Sequence, residues 1–101
     1  MDRYWLASYP AGIPAEIDID EYASVRDVIE ESFAQYPTRP AFTSMGRSIS
    51  FRDLDALSAA FGAWLQALAL AKGARVALMM PNVLQYPVAL FGALRAGYTV
   101  V

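Results

Sequence analysis

The chain is 101 residues long, carries a formal net charge of −2, and is 56% hydrophobic with neither cysteine nor histidine. That composition excludes a disulfide framework, a thiolate nucleophile, a histidine base and an ordinary zinc site, and it fits a cytoplasmic chain. The apolar fraction lies above the roughly 45–50% of soluble domains, so a single modest core would leave apolar faces open unless further chain or a partner covers them.

Residues 1–23 read as an extended N-terminal arm. Pro10, Gly12 and Pro14 punctuate it, its aromatics Tyr4, Trp5 and Tyr9 are expected to dock on a surface, and an acidic patch follows at Glu16, Asp18, Asp20 and Glu21. An acid at position 2 and prolines from position 10 leave no apolar stretch of signal-peptide length. Residues 24–101 read as the incomplete first portion of a larger α/β domain, in which a partial parallel sheet is flanked by helices and accompanied by a short β-hairpin.

Ser24 offers a capping oxygen, Asp27 and Glu30 charge the first turns, and Val25, Val28, Ile29, Phe33 and Tyr36 trace one helical face that Pro37 and Pro40 end. Ala41 to Met45 and Ser48 to Phe51 then flank Gly46-Arg47, which predicts a hairpin with a II′ turn. From Ser50, paired with Asp53 as a variant capping box, the face Leu54, Leu57, Phe61, Trp64, Leu65 and Leu68 predicts a helix to about Ala71, closed by Lys72 and Gly73. Trp64 at that spacing is assigned to the core.

Val76 to Leu94 contains no charged side chain and approaches bilayer-spanning length. Pro81, Asn82, Gln85 and Pro87 would break and polarise such a span, which is therefore rejected. Val76 to Met80 instead reads as a strand buried on both faces. Asn82 is then an N-cap with Gln85 three places on, the following helix reaches Ala96, Gly97 closes it, and Tyr98 to Val101 opens a second parallel strand. Pro87, five residues past the cap, predicts an irregular first turn.

No catalytic constellation emerges, and no residue is assigned a catalytic, cofactor-binding or metal-binding role. The turn Met79-Met80-Pro81-Asn82-Val83 lacks the glycines of a dinucleotide or P-loop site. Glu30-Glu31 and Asp53 with Asp55 are too close in sequence to face one another on a helix and read as solvated charge. Arg39, Arg47, Arg52, Lys72, Arg75 and Arg95 are scattered, so nucleic acid is not an expected partner.

The run RPAFTSMGRSISFRDLDALSAAFGAWLQALALAKGARVALMMPN, followed by LFGALRAGYTVV, resembles the start of the adenylate-forming, AMP-binding acyl-CoA synthetase and luciferase superfamily. The opening WLASYPAGIPAEID is similar to the arm of bacterial long-chain fatty acid CoA ligases. Gly73-Ala74 stands where many relatives have Gly-Asp, and Gln85 where many have Glu; both positions are structural. The resemblance implies a parent enzyme that uses ATP and Mg2+ to convert a fatty acid to an acyl adenylate and passes the acyl group to coenzyme A. It also implies that the phosphate loop, acyl tunnel and catalytic lysine lie beyond Val101, leaving this stretch as an inactive scaffold.

Two other readings stand beside it. One is a free-standing α/β module that binds a partner or itself, self-association through an open sheet edge being expected of the isolated piece. The other is peripheral contact with the inner membrane through the aromatic arm.

Overall fold

Ser24, in extended conformation, accepts the Asp27 N–H at 3.2 Å and starts α1, Val25–Gln35. The structure, a computed structural model, describes residues 1–101. Of the predicted face, α1 buries Ile29 and Phe33, whereas Val25 at one end stays exposed. The order continues β1 (Pro40–Ser44), β2 (Arg47–Ser50), α2 (Phe51–Ala67), β3 (Arg75–Val76), α3 (Gln85–Arg95) and β4 (Thr99–Val100).

The hairpin β1–β2 is antiparallel with Ser44 opposite Arg47, so its two-residue loop is Met45-Gly46, one position earlier than Gly46-Arg47. Met45 and Gly46 have φ values of 53° and 76°. Both central residues are left-handed, which makes the turn type I′ and matches the twist of the flanking strands. A bulge at Ala41 shifts the register between Pro40 and Phe42.

Ser50 caps α2 as expected, accepting the Asp53 N–H at 3.1 Å. The helix ends at Ala67, short of Ala71, because Leu68 and Ala69 close back on Leu65 and Gln66 and Ala69 takes φ 57°. Gly73, at φ 81°, turns the chain further on, where the Ala74 N–H bonds the Ala71 carbonyl. Lys72 therefore lies outside the helix whose dipole it was expected to complement. A non-glycine residue in the left-handed region costs about 1–2 kcal/mol, partly offset by the greater chain entropy that glycine loses on folding. Ala69→Gly should raise stability by about 0.5–1 kcal/mol, seen as a higher urea midpoint at unchanged slope. A lower midpoint would contradict a left-handed Ala69.

β3 and β4 run parallel, pairing Arg75 with Thr99 and Val76 with Val100. Bonds from Thr99 N–H to the Ala74 carbonyl (3.0 Å) and from Leu78 N–H to the Val101 carbonyl (2.9 Å) extend the ladder at both ends. α3 forms the crossover. Of the stretch Val76 to Met80 expected as a strand only Val76 lies in β3; burial along the stretch alternates and Met79 is 97% exposed, so it is not buried on both faces. The two strands have one covered side, where Val76 and Val100 pack near Leu65, Ala93 and Tyr98.

A second apolar cluster joins Ile29 and Phe33 of α1 to Ile49 and Leu54, with Leu84, Val88 and Phe91 against it. The α2–α3 pair connects the two clusters. Only 12 of 101 residues are buried, a small core for so apolar a chain, and large apolar side chains accordingly remain on the surface.

The arm forms a 3-10 turn over Tyr4–Ser8 and otherwise lacks regular structure before Ser24. Its aromatics do not dock: Tyr4, Trp5 and Tyr9 are exposed, and Tyr4 meets only the edge of Trp5 at 5.4 Å. An ion pair between Arg3 and Glu16 folds the arm on itself.

Candidate functional site

Two places gather polar groups from separate elements. The first is the turn at the carboxyl end of β3, where open α/β sheets bind ligands. Asn82 does not cap α3 there: the cap position is Leu84, which makes no side-chain hydrogen bond. The cause is Pro87. Starting α3 at Gln85 makes Pro87 its third residue, where the missing N–H has no intrahelical partner to lose. The irregularity expected in the first turn thus falls before the helix, in bends at Asn82 and Val83 where the Val83 N–H bonds the Pro81 carbonyl at 2.8 Å.

Ser44 Oγ donates to the Asn82 carbonyl at 3.1 Å and ties the hairpin to this turn. Between them opens a cleft of about 370 Å³, lined by Phe42, Ser44, Asn82, Leu84, Tyr86 and Leu90 among others. Its walls are apolar with hydroxyls and one amide and carry no charged residue. Such a cleft can accept an apolar group, but it contains no group poised to move a proton near neutral pH.

The second place is Arg95, at the last turn of α3. Its Nη1 donates to the Asp55 carbonyl (2.9 Å) and to Ser58 Oγ (2.8 Å), and Nη2 pairs with Asp55 Oδ1 at 2.9 Å. Nε approaches Glu30 Oε1 at 3.4 Å, and the guanidinium lies 5.2 Å from the centre of the Phe33 ring. One side chain, 19% exposed, thereby holds α1 and α2 to α3. Asp55 and Glu30, read from the sequence as solvated helix charge, are its partners, and Arg95 itself was read only as one scattered base. Arginine in a last helical turn suits the dipole; the sequence gives no further sign of this role.

Beside this node the two helices touch through glycine. A Cβ on Gly62 would lie 2.8 Å from the Gly92 carbonyl oxygen, and one on Gly92 would lie 2.9 Å from the Ser58 carbonyl oxygen. Ser58 and Ala93 are fully buried in the same seam. Trp64, assigned to the core from its spacing, is instead 57% exposed and stacks on Phe61 at 5.7 Å. Where the arm joins α1, the carboxylates of Glu31 first and Glu21 second raise the Tyr22 phenol above its ordinary pKa.

These arrangements position helices. A family model for AMP-binding enzymes matches residues 29–101, from within α1 through the hairpin, the long helix, the parallel strands and their crossover helix. The chain belongs to the AMP-binding enzyme family.

Among the curated relatives it resembles are long-chain-fatty-acid–CoA ligases. It is 57% identical to a long-chain-fatty-acid–CoA ligase of Escherichia coli O157:H7, over 100% of this chain and 18% of the relative. A ligase of the same name from Bacillus subtilis is 38% identical over 96% of this chain and 17% of its own length. The chain thus spans about a fifth of the length of these ligases.

Solved adenylation enzymes share the fold. Klebsiella oxytoca NpsA in complex with 3-hydroxyanthranilyl-AMSN superposes with a TM-score of 0.75 at 26% identity, covering 80% of this chain and 17% of that one. Mycobacterium smegmatis MbtA, in its apo structure, gives 0.70 at 29% identity over 74% and 14%. The Escherichia coli alignment takes in the whole chain, arm included, whereas the family model begins inside α1 at residue 29.

Proposed function

We propose that these 101 residues are the leading framework of a long-chain fatty acid CoA ligase. The observation that carries this reading is the 57% identity along the whole chain to the Escherichia coli O157:H7 ligase. The parent reaction has two displacements. A fatty carboxylate attacks the α-phosphorus of ATP, forming an acyl adenylate and releasing pyrophosphate. The thiol of coenzyme A then attacks the acyl carbon and releases AMP. ATP, Mg2+, coenzyme A and the fatty acid are assigned to the complete enzyme.

Within residues 1–101 we assign no catalytic, cofactor-binding or metal-binding role. Supporting this, Arg95 engages Asp55 and Glu30, the chain has no histidine or cysteine, and the cleft beside Asn82 is uncharged. The domain assignment follows the same reading: residues 1–23 are an arm, and residues 24–101 are the first portion of the AMP-binding domain.

Oleate-dependent exchange between ATP and labelled pyrophosphate tests it. The isolated piece should show no exchange above background, whereas the piece joined ahead of the matching remainder of the Escherichia coli ligase should exchange. Exchange by the isolated piece would overturn the framework role. A folded chimera that exchanged no label would overturn the reading of residues 1–101 as the framework of such a ligase.

We further place the parent at the cytoplasmic face of the inner membrane through its arm. No helix is long and apolar enough to cross a membrane, but Tyr4, Trp5, Ile17 and Ile19 present exposed apolar surface. Aromatic side chains favour the headgroup level, and the neighbouring acids favour zwitterionic over anionic lipid. Flotation with phosphatidylcholine vesicles should recover severalfold less of the chimera once residues 1–23 are removed. Equal recovery would remove the arm as the anchor.

A further inference from the structure

We draw no further inference here: the strongest candidate, the exposed apolar stripe of Leu57 and Trp64 along the outer side of α2, continued by Leu68 at its C-cap, carries nothing because nothing in the structure shows what covers it.

Discussion

Gly92→Val is expected to destabilise the fold by about 3 kcal/mol, the upper part of the range for overpacking a close contact. The Cβ alone would sit 2.7 Å from Phe61 Cδ1 and 2.9 Å from the Ser58 carbonyl oxygen. The Phe61 ring can turn away, but the carbonyl belongs to the α2 backbone, so relief requires moving the helices apart. That separation would loosen the fully buried Ser58 and Ala93 at the same time. Gly92→Ala should cost less, about 1–2 kcal/mol, because alanine recovers up to about 1 kcal/mol of helix propensity.

Gly62→Ala meets the same seam from the other side, its Cβ 2.8 Å from the Gly92 carbonyl oxygen. The two alanine substitutions together should therefore cost less than their sum, since the first has already parted the helices. Urea unfolding of the four proteins measures this. A valine variant within about 0.5 kcal/mol of the parent would show that α2 and α3 separate freely, as an ordinary surface substitution would.

That seam also shows where the sequence is legible. The apolar spacing of α2 located the helix and two of its buried positions, Leu54 and Leu65, but passed over the buried Ser58 and Gly62 and counted Leu57, Trp64 and Leu68, which are exposed. Hydrophobic periodicity registers large side chains, whereas close helix approach selects small ones, which the pattern counts as neutral. Ser24 and Ser50 were readable because capping is settled within three residues of chain. Gly97 was readable for the same reason, closing α3 at φ 92°.

Asn82 failed because a rule acting over the same distance opposed it, the exclusion of Pro87 from the helix interior. The early end of α2 failed because left-handed Ala69 was preferred to Gly73 against local propensity. Gly73 is instead held elsewhere, its N–H bonded to the Gly97 carbonyl at 3.0 Å. The candidate site was least legible. Arg95 and its partners Asp55 and Glu30 are separated by 40 and 65 positions in the sequence, and no local pattern joins them.

Arg95→Ala should cost about 2–3 kcal/mol. Hydrogen bonds to a charged group are worth about 1.5–3 kcal/mol each when they survive desolvation, and breaking a fully buried ion pair costs 3–5 kcal/mol. The lower figure applies because Asp55 and Glu30 are 46% and 42% exposed and can turn to water once released. What cannot be resolvated is Ser58, whose hydroxyl is fully buried and keeps only its bond to the Asp55 carbonyl at 3.2 Å.

Arg95→Lys should recover less than half of the loss. A single ammonium cannot reproduce the fork that spans the Asp55 carbonyl, its carboxylate and Ser58, nor the flat face turned to Phe33. Asp55→Asn removes one charge and leaves the backbone contact, so a double-mutant cycle with Arg95→Ala isolates the carboxylate at about 1 kcal/mol. High salt should shrink that coupling while leaving most of the Arg95→Ala cost in place. If 1 M NaCl abolished the whole cost, Arg95 would be acting as a surface charge, and the attachment of α3 to α1 and α2 would have to rest on the apolar clusters alone.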